Sequence, residues 1–189
     1  MDSVLIVSHS EKNAESLAGI LAESSLTNIT TISNAGEARR LLIENDFDLC
    51  LINTPLPDDS GESLAECVVS GGTCQVILLV KSEHFDEVSH KVEDYGVITI
   101  AKPINKALLW NALKIAQVTQ RRVKAMQKEN MKLEQKINDI RIVNRAKCIL
   151  ISNLSLSEAE AHRYIEKQAM DMRITRREVA EELLRTYEY

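Results

Sequence analysis

The chain has 189 residues, 44% hydrophobic and 27% charged, a composition that excludes a wholly disordered polypeptide and fits one or two soluble domains. Its net charge of −5 conceals three unlike stretches: residues 1–119 hold 8 Lys and Arg against 17 Asp and Glu, residues 120–151 hold 9 against 3, and residues 152–189 hold 6 against 8. A basic segment on an acidic protein points to a polyanion contact or to a solvated helix.

The chain opens on MDSVLIVSHSEKN, whose apolar run is far too short to span a bilayer and follows no basic region or cleavage site. A cytoplasmic location, with no membrane contact, is expected. Short apolar runs then recur as VLIV (4–7), ITTI (29–32), LCLI (49–52), VILLV (76–80) and VITI (97–100). Amphipathic stretches such as AESLAGILAES and AGEARRLLIEN separate them. Five β-rich runs alternating with helix-length segments predict an α/β domain over residues 1–118, a parallel sheet with helices on both faces. Ligands of such sheets sit beyond the carboxyl ends of the strands, so the residues after each run are the ones to inspect. Cys50, Cys67, Cys74 and Cys148 are too scattered for a zinc site or a disulfide framework and read as buried, reduced thiols.

The third run with NTPLPDDSG, and the later ITIAKPI, resemble the response-regulator receiver family over roughly 115 residues. The resemblance implies a five-stranded, flavodoxin-like fold with a phosphate-accepting pocket. It also implies a carboxylate pair after the first strand for magnesium, an aspartate after the third, a hydroxyl after the fourth and a lysine after the fifth. This sequence offers Ser8 and His9, Asn53, Val80 and Lys102. Only the lysine matches. A neutral amide cannot form an acyl phosphate, and Ser8 with His9 supplies no anionic charge to offset the dehydration of magnesium. The expectation is a pseudo-receiver without phosphotransfer, metal or cofactor, open to a regulatory protein or ligand. Lys102 is expected to donate to Asn53 or to be a relic. Glu11, Asp58 and Asp59 are the remaining acidic residues for another metal site, although loop carboxylates are usually just solvated. His9 is readable as a pH-sensitive group or as a loop histidine without a role.

After Pro103 the sequence contains no Gly or Pro, so a helix opening near Asn105 meets no strong breaker. Heptad a positions fall on Val123, Asn130, Ile137 and Asn144, and d positions on Met126, Leu133, Ile140 and Lys147. This spacing predicts a coiled coil over 119–144, with a weaker backward extension through Leu109, Ala112, Ala116 and Thr119. Asn130 at an a position favours a parallel homodimer, because a like amide on the partner satisfies it best. Parallel pairing also places Glu129 against Glu134 and Lys136 against Arg141, each unfavourable by about a few tenths of a kcal/mol. Burying Leu133, Ile137 and Ile140, at about 1.5–3 kcal/mol each, outweighs those contacts. A single amphipathic helix folded back on its own chain is the alternative.

In residues 145–189, Ser157 with Glu160 and Thr175 with Glu178 form capping-box patterns that start two more helices. Ile149, Leu150, Leu154, Ala161, Ile165, Ala169, Val179, Leu183 and Leu184 suffice for a small three-helix cluster with the end of the long helix. AK at 146–147, SEAEAHRYIEKQAM at 157–170 and REVAEELL at 177–184 resemble the ANTAR domain of transcription antitermination regulators. What the resemblance implies is binding of paired hairpins in nascent leader RNA. Arg and Lys contact phosphates, and His or Tyr stacks on loop bases. Lys147, His162, Arg163, Lys167, Arg173 and Arg176 are the RNA-binding candidates, of which Lys147 and the His162–Arg163 neighbourhood match the family best. Two other readings remain, a duplex-DNA-binding helix-turn-helix and a protein-interaction adaptor. Glu178, Glu181 and Glu182 on the final helix would face a DNA groove badly. No motif indicates an enzyme.

Overall fold

The structure, a computed structural model, describes residues 3–24, 26 and 28–187. The chain divides into two compact units, Met1–Ala125 and Met126–Tyr189.

In the first unit, β1 (Ser3–Ser8), β2 (Asn28–Ile32), β3 (Leu49–Asn53), β4 (Gln75–Lys81) and β5 (Ile98–Lys102) form one parallel sheet in the order β2-β1-β3-β4-β5. Between them lie α1 (Glu11–Ala22), α2 (Ala35–Glu44), α3 (Glu62–Ser70) and α4 (Phe85–Val92), and α5 (Lys106–Leu154) follows β5. The alternation of apolar runs and amphipathic segments predicts such a parallel sheet, and the resemblance to receivers implies its five-stranded, flavodoxin-like form. All five β3 residues are buried, which explains why LCLI is continuous rather than alternating.

Side-chain alternation divides the core. Val4, Ile6, Leu49, Leu51, Ile77, Leu79 and Ile100 face α1 and the start of α5, whereas Leu5, Val7, Cys50, Ile52, Leu78 and Val80 face α2, α3 and α4. Leu109, Ala112, Leu113 and Ala116 are at most 5% exposed in the first of these layers. The expected backward extension of the coiled-coil seam is therefore corrected: Leu109, Ala112 and Ala116 are spent on the sheet.

Local chemistry sets the element ends. Ser10 and Asn34 cap α1 and α2 by accepting from the N–H groups of Asn13 and Glu37. Asn105 accepts from Ala107 and opens α5. Gly61 enters α3 at φ +93°, and a Cβ there would lie 2.4 Å from Thr54 Cγ2, so only glycine fits. Asp48, 4% exposed at the start of β3, accepts from Gln120 Nε2 at 2.7 Å and Lys124 Nζ at 2.5 Å. These bonds hold the middle of α5 to the foot of the sheet. Cys50 and Cys74 are buried, and burial pushes the Cys74 thiol up to about 12. Cys67 and Cys148 are exposed, correcting the expectation that all four thiols are buried.

The second unit packs the end of α5 against α6 (Glu158–Met172) and α7 (Arg176–Tyr187). Its core is Ala146, Leu150, Ala161, Ile165, Ala169, Val179 and Ala180, the small three-helix bundle expected, although Leu154, counted toward it from sequence, is 45% exposed. Both capping boxes form. Ser157 and Glu160 exchange bonds at 2.8 and 3.3 Å, and Thr175 and Glu178 at 2.7 and 3.2 Å. Alpha6 ends with Arg173 at φ +56°, while the N–H groups of Arg173 and Ile174 return to the carbonyls of Met170 and Ala169. That closure usually employs glycine.

Candidate functional site

Two places hold the residues singled out in the sequence, one in each unit. The first is the carboxyl edge of the sheet. Register pairs Ser8 with Asn53 and Lys81 with Lys102, placing these four at adjacent strand ends. Asn53 is 6% exposed and donates from Nδ2 to the Ser8 hydroxyl at 2.9 Å. Ser8 in turn donates to the Ser10 carbonyl at 3.2 Å. A neutral hydrogen-bond chain thus occupies the place where three carboxylates would gather. His9 is exposed on the loop after β1.

Two expectations need correction here. Lys102 Nζ donates to the Thr54 carbonyl, not to Asn53. Burial, with the nearby charge of Lys81, holds Lys102 below the usual lysine range. Val80 belongs to the opposite layer of the core, so the β4 residue sharing the face of Asn53 and Lys102 is Lys81. Alternation along the strand decides this, and a motif count that is one residue out reverses the face. Asp58 accepts from the N–H groups of Ala35 and Gly36 at 2.9 and 2.8 Å, which lower its pKa, and Asp59 pairs with Arg39 at 2.5 Å.

The second place is a groove of about 710 Å³ in the C-terminal unit, where Ile140, Asn144 and Lys147 of α5 meet His162 of α6 and Thr175, Arg176 and Arg177 at the start of α7. The groove unites Lys147, His162 and Arg176 from the sequence-based set. Arg163, Lys167 and Arg173 do not line it; they are exposed elsewhere on and just after α6. Arg177 was missed from sequence. It bonds Asp139 and Glu181 at 2.8 Å each, and these carboxylates raise its pKa. Only the meeting of α5 with α7 reveals it.

Lys147, Arg176 and His162 each have an acidic neighbour. Lys147 pairs with Glu158 at 3.2 Å, Arg176 with Glu166 at 3.1 Å and His162 with Glu166 at 3.3 Å. An exposed pair such as Arg176–Glu166 contributes only about 0–1 kcal/mol, so its partners exchange readily. Along α5, Met126, Leu133, Ile137 and Ile140 are 65, 49, 50 and 59% exposed, while Val123 is half-buried and Asn130 exposed. Ile140 of this stripe also lines the groove, together with Asn144 and Lys147 at the next heptad positions.

Residues 4–114 match the family model of the response regulator receiver domain, more than half of the chain. The chain belongs to the response regulator receiver family. Residues 131–184 match the ANTAR domain, so the C-terminal helices form a second family module. The transcriptional regulatory protein PdtaR of Mycobacterium tuberculosis is 25% identical over 170 residues, covering 90% of this chain and 83% of that protein. Among solved structures, a CheY-like receiver domain protein from Methanospirillum hungatei superposes with a TM-score of 0.57 at 24% identity, covering 65% of this chain and 98% of that one. An adenylate cyclase from Rhodopirellula baltica reaches 0.63 at 15% identity, covering 69% and 98%. At such identities the structural likeness shows the fold alone. The family matches are regulator modules. No helix among the described residues is long and apolar enough to cross a membrane.

Proposed function

We propose that the protein is a transcription antitermination regulator that binds paired hairpins in a nascent leader RNA. The observation carrying this reading is the groove in the ANTAR unit, where Lys147, His162 and Arg176 converge from three helices. A cluster of this kind offers phosphate contacts and an imidazole for an unpaired base. The kinship with a transcriptional regulatory protein over nine-tenths of the chain supports the reading.

The receiver works without phosphorylation, because the phosphoacceptor position is Asn53, already engaged with Ser8. The exposed Met126, Leu133, Ile137 and Ile140 stripe pairs two chains in parallel over the 119–144 segment, presenting two RNA-binding units. Two units on one dimer make the second RNA contact intramolecular, raising avidity by roughly 10²–10⁴ when the spacing fits.

A gel-shift comparison of a two-hairpin leader RNA, each hairpin alone and a DNA duplex of equal length tests the proposal. The two-hairpin RNA is expected to bind tightest. Equal affinity for all of them, or preference for DNA, would overturn it.

A further inference from the structure

The receiver's carboxyl edge holds a cavity of about 280 Å³ between α1 and the start of α5. Its polar lining is Asn13, Ser16, Asn53, Lys102 and Lys106, and its apolar wall includes Leu17 and Ile104. Two lysines, two asparagines and a serine line it, and none of the lining residues is a carboxylate.

The surrounding charges make this unusual. Lys102 is half-buried and bonds the neutral Thr54 carbonyl, with Lys81 as its strand neighbour. Of the loop acids after β3, Asp59 pairs with Arg39 and Asp58 accepts from the first turn of α2. Lys106 pairs with Glu23 at 2.8 Å, but both side chains are more than half exposed, so that pair is readily exchanged. A partly desolvated cation without an anionic partner gains strongly from an anion that enters its cavity. The space accommodates roughly nine groups of water size, at about 30 Å³ each.

We propose that this cavity binds a small organic anion, with a carboxylate or phosphate between Lys102 and Lys106 and its carbon frame against Leu17 and Ile104. The amides of Asn13 and Asn53 and the Ser16 hydroxyl orient the head group. Lys106 is the first residue of α5, so occupancy draws the opening turn of that helix toward the end of β5 and away from Glu23. Such a ligand replaces phosphoryl transfer as the receiver's input. The inference goes beyond the RNA-binding reading and stands without it.

Isothermal titration calorimetry of the full-length protein at low ionic strength, with succinate, methyl phosphate and the neutral succinamide, tests the site. At least one anion is expected to bind, and succinamide is not. Which anion binds identifies the head group as carboxylate or phosphate. Lys102→Gln and Lys106→Gln should each weaken binding about tenfold, the scale of one charge-assisted hydrogen bond. Circular dichroism checks folding. If Lys102→Gln does not fold, Ser16→Leu on the exposed flank of α1 takes its place and should abolish binding by filling the cavity. The inference is overturned if neither anion binds, if succinamide binds as well as the anions, or if affinity persists in the folded variants.

Discussion

The Asn53 side-chain amide donates to the Ser8 hydroxyl at 2.9 Å across the strand ends of β3 and β1. This neutral pair fills the centre of a pocket whose chemistry in receivers depends on carboxylates. Incubation of the protein with acetyl phosphate and magnesium should leave its intact mass unchanged. Asn53→Asp should also stay unmodified, because Ser8 and His9 still provide no anionic ligands for the metal. A stable added phosphoryl group on the unaltered protein would refute phosphorylation independence. Asn53→Ala should destabilise the first unit by about 1–3 kcal/mol through the buried hydroxyl left without its donor.

The exposed stripe on α5 makes a prediction about assembly. Sedimentation analysis at tens of micromolar should find a dimer, and Ile137→Asp should dissociate it by placing a charge in the seam. Asn130→Leu should strengthen association while loosening the choice of oligomer. A monomeric unaltered chain would rule the seam out as an interface.

For the groove, Lys147→Ala and Arg176→Ala should weaken RNA binding and reduce the salt dependence, each lowering the slope by about 1 per lost phosphate contact. Ala161→Asp is a different kind of change. Ala161 is fully buried in the bundle, and an unpaired charge there should cost about 3–5 kcal/mol of stability. Arg173 separates structure from contact: Arg173→Gly removes a left-handed strain of about 1 kcal/mol and should raise the melting temperature of the C-terminal unit. Unchanged RNA affinity in that variant would remove the Arg173 side chain from the interface.

The two capping boxes predict an acid response. Hydrogen bonds from the Ser157 hydroxyl and backbone N–H lower the Glu160 pKa, and those from the Thr175 N–H and hydroxyl lower that of Glu178. For carboxylates held below their unfolded values, the stabilisation is complete above the unfolded pKa, near about 4.3, and is lost as pH falls through the folded one. Helicity followed by circular dichroism should therefore fall between about pH 5 and 3 more steeply than in a Glu160→Gln, Glu178→Gln double variant. Superimposable curves would show that these caps do not control the ends of α6 and α7.

Much of the fold was legible because its signals are local. Short apolar runs such as LCLI and VILLV between helix-length segments read as buried strands, and Ser157 with Glu160 satisfies its own helix start whatever packs nearby. The pocket was legible in its losses, since Ser8 and Asn53 stand in adjacent strands whose ends the α/β pattern already places together. Val80 was misplaced because one residue of register reverses the face of a strand, and register emerges only from pairing. Lys102's true acceptor and the diversion of Asp58 and Asp59 were likewise invisible, being set by contacts 20 to 48 residues apart along the chain.

What the sequence determined by itself is the order of elements, the two modules, the heptad spacing and the missing acceptor, because periodicity, caps and residue identity act within a few residues. Tertiary structure alone decided how apolar and charged groups were shared out. Leu109, Ala112 and Ala116 fit a heptad as well as Met126 or Ile137 do, yet the sheet claims the former and leaves the latter exposed. Arg177 joins Lys147 and His162 only when α5, α6 and α7 close around Ala146, Ile165 and Val179. A helix pattern states which faces are apolar; the partner that covers each face is set by burial across the folded chain.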